Sequence, residues 1–523
     1  MGEQLETIPA VLHRAAERFG DLEAVVDPPE RPTFAEIERE VVDRARSLVA
    51  AGVVPGDRVA IWAPNSLEWI RWSFAVYSAG AVLVPVNTRF KGEEAAQVLT
   101  TAGVRLLLAV TDFLDTDHVA MLRAVRGFEV PETVVLSGPV PAGALGRDEV
   151  LARSASVAPD EVAAREGSLV AASPSDIVFT SGTTGRPKGV VLTHGASIET
   201  YLQWSERVGL RQGDRELLVY PLFHTAGLKS GVLAAFLRGA TLVPHAVFDV
   251  VPVMERVAAE RITFLPGPPS VFQSILNHPD LDRFDVSSLR LSVTGAATVP
   301  VELIERMRLE LGLESVVTAY GLTETHGTVT ACLGTDPAET IATTVGRPLD
   351  GLELRVVDDG GRDVGAGATG EVWVRGFNVT EGYFSDPEAT AEALTDGWLH
   401  TGDVGFVGDD GYLRLVDRKK DLVIVGGFNV APAEVERVLL RRDDVAQVAV
   451  VAAPDQRLGE VCAAFVVARP GTEPEPDELR AWCRDRLANY KVPRHVVIVG
   501  SLPVNASGKV QKTALREQAR RLA

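Results

Sequence analysis

The sequence predicts a layered α/β protein in three parts: a large N-terminal domain, a small antiparallel, barrel-like segment closing it, and a small α+β domain at the C-terminus. Three observations carry this reading. Helix-period and strand-period apolar runs alternate from residue 8 to about 346, the pattern of helices covering a largely parallel sheet. Beyond 346 the runs shorten to strands with close turns, at 352–357, 371–374, 412–416 and 422–425. The last ~100 residues alternate again and have the size of a unit with its own core.

Taken in order, Val11, Leu12, Ala15 and Phe19 recur at helical spacing, and Gly20-Asp21 stops that run. A second helix is expected over 36–51, then a strand over 58–62. Helix and strand repeat through 67–80, 82–86, 93–102 and 105–109. Residues 138–175, rich in Ala, Pro, Gly and acidic side chains, predict an irregular surface excursion. Strands are expected at 176–179, 190–193, 289–293 and 315–318. The C-terminal unit reads as helix 433–441, strands 445–452 and 462–468, helix 476–487, strand 496–499 and a basic tail. The literal G-x-G-x-x-G at 365–370 precedes a strand, not a helix, so it reads as a hairpin turn and not a dinucleotide fingerprint.

With 523 residues, 46% of them hydrophobic and 24% charged, the chain has ample material for globular cores. A net charge of −19 disfavours nucleic acid, whose binding rests on phosphate neutralisation. A polyphosphate would also be repelled overall, so its site must be locally basic or carry a metal. The three cysteines, Cys332, Cys462 and Cys483, lack metal-ligand spacing and read as reduced and buried, as in the cytoplasm. The N-terminus shows no basic or apolar signal, and Glu6 spoils a myristoylation match. The uncharged runs 72–88 and 262–279 contain Ser, Gly, Pro or Asn and read as core and loop, not membrane spans.

The densest chemistry lies in Thr180-Ser181-Gly182-Thr183-Thr184-Gly185-Arg186-Pro187-Lys188-Gly189, between two β-branched strands. Its glycines let successive backbone N–H groups converge on an anion, its hydroxyls add donors, and Lys188 adds a charge. The spacing is not that of the usual P-loop, and a strand follows in place of a helix. Tyr320-Gly321-Leu322-Thr323-Glu324-Thr325 follows a strand and combines a ring for a base, a hydroxyl for phosphate and a carboxylate for a cation. Gly295-Ala296-Ala297 also follows a strand; its small residues admit a flat ligand or tight packing equally. Asp403 suits a ribose or a turn, Arg418 a ribose or plain solvated charge, and Lys509 a mobile catalytic cation or surface charge.

Taken together and in this order, these segments closely resemble the signatures of the acyl-adenylate-forming superfamily, across essentially the whole chain. That resemblance implies an acid–CoA ligase using ATP, Mg²⁺ and coenzyme A. Thr180, Ser181, Gly182, Thr183, Thr184, Gly185 and Lys188 would cradle phosphates. Tyr320, Gly321 and Gly295–Ala297 would hold adenine, and Asp403 and Arg418 the ribose. Thr323 would serve phosphate, Glu324 the Mg²⁺ ion, and Lys509 the substrate carboxylate and α-phosphate. Lys420 falls at the family's hinge, which divides an adenylation domain, 1–419, from a mobile C-terminal domain, 420–523. Gly426 and Gly427 would line the pantetheine tunnel. The acid pocket would draw on His224, Thr225, Gly267, Gly295 and Gly321.

The wall 264–269 and the segments 293–300 and 454–460 resemble, more narrowly, actinobacterial CoA ligases for the bicyclic propanoate left from sterol rings. A bulky alicyclic acid is therefore expected, with a medium-chain fatty or aryl acid as the alternative. A protein of this fold performing one half-reaction is the second alternative. The absence of a Gly-x-Ser-x-Gly elbow disfavours a hydrolase. The expected partners are the acid, MgATP and CoA in the cytoplasm, with no nucleic acid and no transmembrane segment; for assembly, a homodimer stays open.

Overall fold

A computed structural model describes residues 6–180, 187–295, 299–365, 367–418, 421–425, 428–455, 458–487, 489–505 and 510–522. The chain opens with three helices, α1 (Ile8–Phe19), α2 (Phe34–Ala50) and α3 (Leu67–Ser78). Their starts are written in the sequence: Thr7 and Ser66 cap α1 and α3, and Thr33 with Glu36 forms a capping box on α2. Val11, Leu12, Ala15 and Phe19 are buried as their spacing predicts. Every residue of α3 except Glu68 is buried, so this helix lies inside the molecule. Its Arg71 is buried and held by Glu30, Glu40 and Glu68 at 2.7–2.8 Å, which satisfies the cation.

The first sheet contains β1 (Arg58–Trp62), β2 (Val82–Pro85), β3 (Val104–Val110), β4 (Glu132–Ser137), β5 (Leu145–Gly146), β6 (Pro174–Thr180) and β7 (Lys188–Thr193). Their order is β5-β4-β3-β1-β2-β6-β7. All neighbours are parallel except β6 and β7, which form an antiparallel hairpin at the edge. The central strands are buried on both faces, and they read as continuous apolar runs. A second sheet builds from β8 (Arg215–Leu218), β9 (Thr241–Pro244), β10 (Leu291–Thr294) and β11 (Ser315–Tyr320). Phe264 bridges β8 to β10, and β12 (Thr330–Ala331) and β13 (Arg347–Pro348) extend the other edge antiparallel. One large core cluster lies against both sheets.

The antiparallel segment comprises β14 (Glu353–Val357), β15 (Gly370–Arg375), β16 (Leu394–Thr395), β17 (Trp398–Val407) and β18 (Leu413–Arg418). Of the glycine-rich 365–370 stretch, Gly365 and residues 367–369 lie in the connection between antiparallel β14 and β15, Gly370 opens β15, and Ala366 lies outside the described residues. The C-terminal sheet holds β19 (Val423–Val425), β20 (Phe428–Val430), β21 (Val445–Asp455), β22 (Gly459–Ala468) and β23 (His495–Ile498). It has a separate apolar cluster drawn from residues 423–519.

Two expectations need correction. Residues 138–175 are not irregular throughout: they include the helices Arg147–Ala152 and Pro159–Gly167, each anchored by one buried valine, Val150 or Val162. A single anchor per helix leaves no periodic apolar signal to read. Asp403 does not sit in a turn but within the long strand β17, where it pairs with Arg418 of β18. The uncharged runs are core helices, strands and loops, and no described helix is long and apolar enough to cross a membrane. The three cysteines are buried and unpaired.

Candidate active site

Thr180 ends β6 and Lys188 begins β7, and the two residues face each other across the strand pair. The Lys188 ammonium lies 5.0 Å from the ring centroid of Tyr383, within cation–π range. The hydroxyl of the same tyrosine donates to Glu324 Oε1 at 2.9 Å. Burial first, and then the Glu324 charge, push this phenol well above its usual range, so it stays a donor. The chain around Tyr383 lies along β7: Val190 bridges Tyr383, Phe384 N–H donates to Gly189 O at 2.7 Å, and Val191 N–H to Gly382 O at 3.2 Å. Thr380 N–H donates to Glu324 O at 2.8 Å, so one segment fixes both the carboxylate's backbone and its side chain.

Glu324 follows β11 in a short 3-10 turn, Thr323–Thr325. Tyr320 is the last residue of that strand, and its hydroxyl donates to Asp403 Oδ2 at 2.6 Å. The expected adenine and ribose residues therefore touch each other, and Lys188 and Glu324 share one tyrosine. Gly295 lies at the end of the adjacent β10, and a Cβ there would meet Ala319 O of β11 at 3.6 Å. Gly321 admits no side chain, because a Cβ would come within 2.2 Å of Gly327 O. Gly327 itself has φ +105° and packs under the Tyr201 hydroxyl and Thr225. The turn carrying Glu324 thus abuts Thr225, and Gly267 N–H donates to Val293 O of β10 at 3.1 Å. His224 Nδ1 accepts from Ala226 N–H at 3.1 Å, where the π-helical stretch Ala226–Leu233 begins. Such stretches are often placed at functional sites.

Two buried groups behind these residues were invisible as site features in the sequence. His326 Nε2 accepts from Thr193 N–H at 3.0 Å, which makes Nδ1 the donor to Asn378 O at 2.8 Å. Burial lowers its pKa to about 4, so the ring is neutral and ties the Glu324 turn to the end of β7. Lys229 pairs with Asp176 of β6 in full burial, and Tyr77 donates to the same carboxylate at 2.6 Å. That pair links the π-helical stretch to β6, the strand that ends at Thr180. Tyr383, His326 and Lys229 belong to none of the motifs, and only their partners, 53 to 133 positions away, reveal them. Ser181, Gly182, Thr183, Thr184, Gly185, Ala296, Ala297, Lys420, Gly426, Gly427 and Lys509 lie outside the described residues, as does the side chain of Arg418.

A triphosphate's cation needs one or two carboxylates beside the phosphates. Glu324 fits, since Tyr383 occupies Oε1 and no bond from a described residue reaches Oε2. The sequence matches the AMP-binding enzyme family over residues 12–384, and the C-terminal domain of that family over 434–509. The chain belongs to the AMP-binding enzyme family. As a member it is an acid–CoA ligase of the AMP-forming type, which uses ATP and CoA and passes through an acyl-adenylate. It is 48% identical to a Mycobacterium tuberculosis 7a-methyl-1,5-dioxo-octahydro-1H-inden-4-yl propanoyl:CoA ligase, over 99% of this chain and 100% of that one. The Rhodococcus jostii ligase of the same name is 46% identical, with the same coverage. Among solved structures of AMP-binding enzymes, the anthranilate CoA ligase AuaEII in complex with anthranoyl-AMP superposes with a TM-score of 0.89 at 26% identity, covering 100% of this chain and 98% of that one.

Proposed function

We propose that this ligase activates a bulky bicyclic propanoate, a ketone-bearing alicyclic acid of the kind left from sterol rings. The observation that supports this most is end-to-end identity of 46–48% to two ligases named for such an acid. In this reading the acid's carboxylate oxygen attacks the α-phosphorus of ATP and pyrophosphate leaves. The CoA thiol then attacks the activated carbonyl and AMP leaves. Two anions meet in the first step, so fixed positive charge is its main requirement. Lys188, with Thr180 and the loop 181–185, holds the β- and γ-phosphates; Lys509 bridges the acid and the α-phosphate. Tyr320, its hydroxyl tied to Asp403, presents its ring to adenine beside 295–297, while Asp403 and Arg418 take the ribose. Thr323 bonds phosphate, and Glu324 holds Mg²⁺, which supplies Lewis-acid neutralisation of the triphosphate.

The acid lies among His224, Thr225, Gly267, Gly295 and Gly321. Residues 1–419 act as the adenylating domain, and 420–523 turn about Lys420 to withdraw Lys509 and bring Gly426–Gly427 to the pantetheine arm. Buried, unpaired cysteines suit work in the cytoplasm. The test is acid-dependent pyrophosphate release, with and without CoA, over bicyclic propanoates, medium-chain fatty acids and aryl acids. The bicyclic acid should show the highest kcat/KM, and CoA should convert its adenylate to a thioester. A tenfold preference for a fatty or aryl acid overturns the substrate, and pyrophosphate release without any thioester reduces the function to adenylation.

A further inference from the structure

Lys188 and Glu324 carry opposite charges on adjoining elements, yet no ion pair joins Lys188 to any carboxylate among the described residues. Left to themselves, two such groups would close on each other, and each would then be lost to a ligand that needs both. Tyr383 stands between them. Its ring face gives the ammonium a neutral partner at 5.0 Å, and its hydroxyl gives the carboxylate a neutral donor at 2.9 Å. The tyrosine is itself held on two sides. Its backbone bridges Val190 of β7, and its N–H donates to Thr390 Oγ1 at 2.9 Å on the helix Pro387–Ala393. We propose that Tyr383 is a positioning residue, a spacer that keeps Lys188 and Glu324 apart and aimed so that a polyphosphate and its divalent cation meet both. This rests on the reading of Glu324 as the cation's ligand.

The experiment uses Mn²⁺ as a spectroscopic stand-in for Mg²⁺ and the non-reacting analogue α,β-methylene-ATP, with bound Mn²⁺ read by electron paramagnetic resonance on the full chain. Tyr383→Phe keeps the ring and removes the donor, so the Mn²⁺ dissociation constant should rise about tenfold, the scale of one hydrogen bond to a charged group. Metal-free binding of the analogue should change less than threefold, because the ring still holds Lys188. Thioester formation from supplied acyl-adenylate, which involves no triphosphate, should be unchanged. Tyr383→Leu removes ring and donor together and should weaken metal-free analogue binding as well. Glu324→Gln separates the two possible failures. If it leaves Mn²⁺ binding intact, the cation assignment falls and this inference with it. If Glu324→Gln weakens Mn²⁺ binding and Tyr383→Phe does not, the spacer role alone is overturned. Equal losses in Mn²⁺ binding and thioester formation for Tyr383→Phe mark a merely structural tyrosine and also overturn it.

Discussion

Lys229, with 1% of its side chain exposed, pairs with Asp176 on β6, and burial pulls its pKa below the usual lysine range. Lys229→Met leaves that carboxylate buried without its counter-charge, and should cost about 3–5 kcal/mol, read as a lowered melting temperature in calorimetry. Adding Asp176→Asn should restore most of the loss; no recovery would mean that packing, not charge, sets the cost. His13 offers a test in pH. Glu166 and Glu38 flank its ring at 2.9 and 2.6 Å and raise its pKa from 6.5 to about 9. A raised histidine pKa gives stability that is complete below 6.5 and lost as pH climbs through 9. The side chain is 38% exposed, so solvent screens the effect to a modest one. His13→Gln should flatten the melting-temperature profile between pH 6.5 and 9, and an unchanged slope would refute the linkage. At this scale the sequence reveals groups whose chemistry is local, such as Lys188 beside a glycine-rich loop. It conceals Tyr383 and Lys229, whose meaning is the identity of a distant neighbour.

Among elements, the β6–β7 hairpin was legible from its two β-branched runs, and β11 from the run ahead of Tyr320. The strand β17 was not, because its apolar residues are broken by His400, Gly402 and Asp403, which read as a turn. The 376–386 stretch along β7 was equally hidden, since its side chains bond partners far along the chain, as Thr380 Oγ1 does to Val191 O and Asn378 Nδ2 to Thr328 O, each at 2.6 Å. The turn 321–328 depends on a glycine more than its motif suggests. Gly321→Ala would set a methyl 2.2 Å from Gly327 O, and both strands of backbone must shift. The expected loss is about 1–3 kcal/mol of stability, with adenylation falling more than tenfold as Thr323 and Glu324 move. Unaltered pyrophosphate release from this variant would show that the turn has slack the geometry does not suggest.

For the molecule as a whole, the alternation of helix and strand announced the layered N-terminal part, and a second run of the same texture announced the C-terminal unit. What no pattern announced is how the two meet. Asp417 of β18 accepts from Ala433 N–H at 3.1 Å, and Lys512 Nζ lies 4.0 Å from Asp417. Arg469 lies 4.0 Å from Glu302. Lys509→Ala should lower adenylation by about 10²-fold, the scale for losing a charge-stabilising group, and spare thioester formation from supplied adenylate. Equal loss in both halves would sink the alternating-domain scheme. The apolar clusters of the two parts are separate, and the junction between them is written in ions and hydrogen bonds. Dissolved electrolyte competes for contacts of this kind. If the tail turns as proposed, raising the ionic strength should shift the ratio of the two half-reactions without touching either reacting centre.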